Sequence, residues 1–188
     1  MVLEIIVWVD CCFIIMQLDI KEQSLILEGK KYSRKELMSL SANATGDNTS
    51  SFLLDLYRFL ADWFSDSPFM TVHTSGSTGT PKVLTVRKEQ MMQSARMTCE
   101  FLNLHTGDTA LLCMPLQYIA GKMMVVRALV AGLNLILRTP SGHPLADVTV
   151  PLRFVAMVPL QVFNTLQVLR EKERLCHTDI LIIGGGAI

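Results

Sequence analysis

The chain has 188 residues, half of them hydrophobic, and its 17 Lys and Arg balance 17 Asp and Glu to a formal charge of zero. That is about one ordinary domain with enough apolar content for a packed core, which excludes a disordered chain, and there is no cationic excess to serve a nucleic acid. Its five cysteines contain no C-x-x-C pair, which argues against a disulfide framework or a zinc site and for a reducing cytoplasm.

Residues 1–16 are apolar, but Glu4 and Asp10 interrupt them and no Lys or Arg precedes them. They therefore lack the form of a signal peptide and are short for a membrane span. Two readings stand: an edge strand, or a non-native extension ahead of a natural start at Met16. Residues 17–66 are then expected to form a reduced N-terminal subdomain, and 67–188 the core.

Along the chain, 25–28 read as a strand and 29–31 as a turn. Ser33 with Glu36 has the spacing of a capping box and opens a helix to about Leu40. Residues 41–50 are polar and form a loop. Residues 52–64 place apolar side chains at 52, 53, 56, 59, 60, 63 and 64, a helical stripe whose aromatics belong to the core. Residues 69–72 and 83–86 are strands around a tight loop. A helix is predicted over 88–104, a strand over 110–114, a helix over 119–131 ended by Gly132, and a strand over 133–137. A strand follows over 153–158, then a helix from Pro159 to about Leu175, and a strand over 179–183 before Gly184, Gly185 and Gly186. The long apolar stretch 119–137 includes Lys122, Arg127 and Asn134. Charges are costly at a bilayer centre, so it is a buried helix and strand with no membrane span.

Strand and helix alternate from residue 109 onward. The predicted class is α/β, with partly parallel sheets covered by helices. Ligands in such sheets bind beyond the carboxyl ends of strands, which makes 115–121 and 184–186 site candidates.

The loop His73-Thr74-Ser75-Gly76-Ser77-Thr78-Gly79-Thr80-Pro81-Lys82 is the densest chemical signal. Glycines permit close backbone approach, successive N–H groups can form an anion-binding nest, and the lysine adds a point charge. On these residues alone the choice lies between a phosphate cradle and a Ser/Gly turn with no ligand. It is not a Walker loop, because Pro81 stands where the glycine before the lysine should be and Val83 replaces the hydroxyl.

The string Thr74-Ser75-Gly76-Ser77-Thr78-Gly79-x-Pro81-Lys82 resembles the phosphate-binding signature of the adenylate-forming superfamily, which includes acyl-CoA synthetases, peptide-synthetase adenylation domains and luciferases. The resemblance implies the N-terminal part of that superfamily's large domain. It assigns Thr74, Ser75, Gly76, Ser77, Thr78, Gly79 and Lys82 to the phosphates of ATP. Gly29-Lys30-Lys31-Tyr32-Ser33 with Glu36-Leu37 is similar to the family's opening phrase, although the segment between that phrase and the phosphate loop is shorter here than in most relatives. Met114-Pro115-Leu116-Gln117-Tyr118-Ile119-Ala120-Gly121 is similar to the family's stretch bordering the acyl pocket, with Tyr118 at the aromatic position and no histidine. Gly184, Gly185 and Gly186 are similar to its glycine loop near the acid and adenine.

Arg127 lies in an otherwise apolar run and needs a partner or water. Read locally, it either snorkels to the surface or serves a ligand. The o-succinylbenzoate–CoA ligases of menaquinone biosynthesis often carry a basic residue at this place, and their substrate keeps a second carboxylate, so Lys122 and Arg127 become candidate substrate cations. The resemblance thus implies an ATP-dependent acid–thiol ligase using ATP, Mg2+ and coenzyme A on a small carboxylate. The alternatives are a ligase for another acid and a non-catalytic nucleotide-binding fragment. No nucleophile, general base or metal ligand is evident. The chain stops at Ile188 before the family's later motifs and small C-terminal domain, so it is expected to be truncated and inactive by itself. Homo-oligomerisation is left open.

Overall fold

The computed structural model describes residues 19–43, 50–73 and 83–185. The readings made for 1–16, for the phosphate loop at 74–82 and for Gly186 lie outside these residues, as do positions 44–49 of the expected polar loop.

A six-stranded sheet organises the chain, in the order β2-β1-β6-β5-β7-β8. Its strands are β1 Ser24–Leu27, β2 Lys30–Ser33, β5 Thr109–Leu112, β6 Asn134–Leu137, β7 Phe154–Met157 and β8 Ile180–Ile183. A separate two-stranded sheet holds β3 Phe69–His73 and β4 Val83–Arg87. Pairing is parallel at β1–β6, β6–β5, β5–β7 and β7–β8, and antiparallel only at β1–β2 in the large sheet. The expected partly parallel α/β architecture is the one observed.

Side chains alternate across a strand, and both faces of this sheet are covered. Ala110, Leu112, Leu135, Phe154 and Ala156 pack into the larger core, whereas Leu111, Cys113, Ile136, Val155 and Met157 face a second one. This two-sided burial explains why the strands read as continuous apolar runs. The first face is covered by α1 Arg34–Asn43, α2 Ser51–Phe64, α3 Lys88–Phe101 and α4 Ile119–Ala131. Leu145, Val148 and Leu152 cover the second, with Val162 of α5 Pro159–Gln167 and Leu175 of α6 Leu169–Cys176.

Local signals account for three of the helix ends. Ser33 and Glu36 cap α1 reciprocally: Ser33 N–H donates to Glu36 Oε2 at 2.8 Å, and Glu36 N–H to Ser33 Oγ at 3.4 Å. The Ser50 hydroxyl accepts from Leu53 N–H at the start of α2. Gly132 closes α4 in the left-handed conformation, φ 69°.

Four boundaries differ from the sequence reading. Lys30 and Lys31 begin a strand rather than complete a turn, because the two-residue corner Glu28–Gly29 (φ 48° and 81°) already reverses the chain as a tight hairpin requires. Helix α1 continues to Asn43, into the expected loop, and α3 stops at Phe101, where the chain turns through Asn103 at φ 51°. The helix expected over 159–175 is two helices, broken at Val168, which is extended at φ −110°, ψ 113°. The break re-phases the chain so that Glu171 meets His143 at 2.9 Å and Arg174 donates to the Leu145 carbonyl at 2.6 Å and to that of Ala146.

Candidate functional site

The carboxyl ends of β5, β7 and β8 converge on a small pocket of about 60 Å³ lined by Met114, Pro115, Tyr118, Ile119, Ala120, Val158 and Gly185. Its walls are almost entirely apolar. Of the residues singled out in the sequence, Tyr118 and Gly185 are brought together here although they stand 67 positions apart. Gly184 stands beside the pocket, where its N–H donates to the Met157 carbonyl at 3.1 Å, and its Cα faces open space.

Gly121 explains why the start of α4 can lie against this pocket. A Cβ on Gly121 would stand 2.4 Å from the Pro115 carbonyl oxygen and 2.9 Å from that of Met114. Only a residue without a side chain lets the helix approach so closely. The missing Cβ gives the expected Pro115-to-Gly121 stretch a packing reason of its own.

Gln161, which the sequence reading did not select, ties the strand ends together. Its amide nitrogen donates to the Cys113 carbonyl at 3.0 Å and to the Ser141 carbonyl at 2.9 Å, and its amide oxygen accepts from Val158 N–H at 3.1 Å. Gln161 is buried, so its amide satisfies polar backbone groups that would otherwise lack partners. Its only sequence signal is its place in the first turn after Pro159.

The strands on either side of residues 74–82 reach the same end of the molecule. Strands β3 and β4 pair antiparallel from Phe69↔Arg87 to His73↔Val83. At the base, Lys88 is buried at 2% exposure. Its ammonium donates to the Ser65 carbonyl at 2.9 Å and hydroxyl at 3.2 Å, and its backbone N–H donates to the Pro68 carbonyl at 2.9 Å. Burial lowers its pKa, partly offset by Asp62 and Asp66. At the other end, His73 forms an isolated parallel bridge with Tyr118. His73, the last described residue before 74–82, is thereby set beside Tyr118 of the pocket wall, with Val83 paired to it across the hairpin.

Lys122 and Arg127 sit at different places on α4. The Lys122 ammonium donates to the Thr71 carbonyl of β3; burial lowers its pKa and Asp62 partly restores it. Arg127 lies nine residues beyond Tyr118, about 13 Å along a helix axis. Its side chain leans back toward the amino end, as helical side chains do, and Nη1 lies 3.6 Å from Met124 Sδ. The guanidinium carbon is 6.0 Å from the Phe154 ring centroid. Burial lowers the Arg127 pKa, its Nε is buried without a partner, and no described carboxylate pairs with it.

The described residues contain no group of three or more His, Cys, Asp or Glu able to hold a metal, and none of their helices is long and apolar enough to cross a membrane.

Comparison with known proteins gives a consistent family. The family model described as AMP-binding enzyme matches residues 9–188. A 2-succinylbenzoate–CoA ligase from Haemophilus influenzae is 28% identical over 134 residues, covering 71% of this chain and 28% of that protein. An acyl-CoA synthetase (AMP-forming)/AMP-acid ligase II-like protein from Dyadobacter fermentans is 33% identical and superposes with a TM-score of 0.68, covering 80% of this chain and 43% of that one. The O-succinylbenzoate coenzyme A synthetase of Bacillus subtilis, solved with ATP and magnesium ion, shares the fold at a TM-score of 0.58 and 16% identity, over 92% of this chain and 54% of that one. The chain thus spans between about a quarter and about half the length of these relatives.

Proposed function

The chain belongs to the AMP-binding enzyme family, and from that premise we propose that it is the N-terminal part of an acid–thiol ligase acting on o-succinylbenzoate. A carboxylate oxygen of the acid attacks the α-phosphorus of magnesium–ATP, pyrophosphate leaves, and the acyl-adenylate forms. The coenzyme A thiol then attacks the acyl carbon, and AMP leaves. Such chemistry depends on positioning and charge neutralisation. Thr74, Ser75, Gly76, Ser77, Thr78, Gly79 and Lys82 hold the β- and γ-phosphates. Tyr118 and Gly184 to Gly186 border the acid, and the magnesium enters with the nucleotide.

The observation that carries the choice of acid is Arg127. A half-buried guanidinium without a carboxylate partner is costly, and this one belongs to the helix whose first turn lines the pocket. An acid with one reacting carboxylate near Tyr118 and a second carboxylate deeper along α4 supplies the missing charge. The Haemophilus ligase, whose name carries a succinylbenzoate, supports the same reading.

The test is carboxylate-dependent ATP–pyrophosphate exchange, measured on the protein carried to the stop codon of its reading frame. Exchange is expected with o-succinylbenzoate and is lost in Lys82→Ala and Arg127→Ala. Exchange with only a fatty, aryl or amino acid discards the choice of acid. ATP binding without exchange for any acid favours a non-catalytic nucleotide-binding module. The 188-residue chain alone is expected to turn over little, since it spans 43% of the Dyadobacter relative.

A further inference from the structure

Strand β3 is paired with β4 along one edge, and a two-stranded sheet by itself is marginally stable. Its position relative to the pocket therefore depends on what holds its other contacts. Two such contacts come from the start of α4: the backbone bridge between His73 and Tyr118, and the hydrogen bond from Lys122 to the Thr71 carbonyl. The second is a charged donor on a backbone acceptor, the stronger kind of hydrogen bond. Gly121 seats that turn of α4 against the Pro115 carbonyl, so the lysine projects from a fixed base. No described carboxylate forms an ion pair with Lys122, and its ammonium is directed to the strand that leads into residues 74–82.

We infer that Lys122 is a positioning residue: it fastens the strand entering the phosphate loop to the acid pocket, so that nucleotide and acid are held in one register, and it is not a ligand of the acid's second carboxylate. This rests on the reading that residues 74–82 hold the phosphates of ATP. A lysine with this task affects nucleotide affinity although it touches no phosphate. Lys122 makes one bond to one carbonyl, a contact that does not use the planar fork by which arginine differs from lysine, so arginine is expected to serve in its place.

The experiment compares Lys122→Met and Lys122→Arg with the unaltered protein, each carried to the stop codon of its reading frame, titrating magnesium–ATP and o-succinylbenzoate separately and following amide hydrogen exchange. Lys122→Met is expected to weaken magnesium–ATP binding about tenfold, the scale of one lost charged hydrogen bond. It should leave acid affinity within about twofold, and Lys122→Arg should restore most of the loss. Exchange should accelerate over 69–73 and 83–87 and stay slow over 119–131. Weakened acid binding with unchanged nucleotide binding overturns the inference, and so does unchanged exchange over 69–73. If the unaltered protein binds no ATP, the functional reading fails, while the exchange arm still decides whether Lys122 holds the strand.

Discussion

Gly121 and the Pro115 carbonyl are so close that an added Cβ would stand 2.4 Å from the oxygen. Both groups are backbone, so neither can swing aside as a flexible side chain would. Gly121→Ala is expected to destabilise the protein by about 1–3 kcal/mol, the usual range for overpacking a closed contact. The same change should displace Tyr118 and Ala120 at the pocket wall. Urea unfolding measures the first effect and acid affinity the second; an unaltered midpoint would refute the clash.

Replacing Gln161 by Met keeps the approximate volume and removes the three hydrogen bonds that join Cys113, Ser141 and Val158. Leaving buried backbone groups without partners costs about 1–3 kcal/mol. The expected outcome is a lower denaturation midpoint with the slope unchanged, together with weaker protection of the amides at the ends of β5 and β7. A midpoint equal to that of the unaltered protein would show that water replaces the amide without loss.

The Glu36 carboxyl has a pKa below its ordinary value of 4.5, chiefly through the Ser33 hydroxyl and then the Ser33 backbone N–H. A depressed carboxyl pKa contributes stability above the unfolded value, and that contribution disappears as pH falls through the folded one. Unaltered protein should therefore lose α1 stability on acidification below about 4.5. Glu36→Gln should begin less stable at neutral pH and show a flatter acid limb. Circular dichroism melts between pH 3 and 7 give the comparison; parallel curves would contradict the assignment.

Among the described cysteines, Cys99 and Cys113 are buried and Cys176 is exposed. Burial pushes the Cys113 thiol up to about 12 and raises that of Cys99. The thiolate is the nucleophile, so among these three alkylation near pH 8 should modify Cys176 before Cys99 and leave Cys113 unmodified until the protein unfolds. Peptide mapping after a timed pulse checks the order; early labelling at Cys113 would show that the chain opens locally just beyond β5.

The sequence made the α/β layers legible because its signals there are local. Gly132 marks the end of α4, the capping box marks the start of α1, and the two-sided burial of β5 to β7 writes continuous apolar runs. The break at Val168 carries no such signal. No glycine or proline stands there, and the reason for the break lies in contacts of Glu171 and Arg174 with residues 143–146. Strand β2 was hidden for the opposite reason: Lys30, Lys31 and Ser33 are exposed, so it has no buried alternation, and its pairing is set by the corner at Glu28 and Gly29. Tyr118 and the Gly184–Gly185 pair could be chosen from motif and topology. Gln161 could not, since its partners come from three separate segments. Arg127 was visible as a charge in an apolar helix, but only the structure places its guanidinium near Phe154 without a carboxylate.

The place of β1 between β2 and β6 governs the order in which this sheet can be completed. Ile26 pairs with Asn134 and Leu27 with Leu135, more than a hundred residues apart in the chain, so the β1–β2 hairpin, synthesised well before β6, must wait for it. At roughly 5–20 residues per second that interval is about 5–20 s, and closing so long a loop delays the reward of pairing. Through that interval Leu25 and Leu27, both buried in the finished sheet, have no covering strand. The nascent chain passes through a stage at which β1 and β2 invite capture by a chaperone or by another chain, and slowing translation before residue 134 should lower the yield of folded protein.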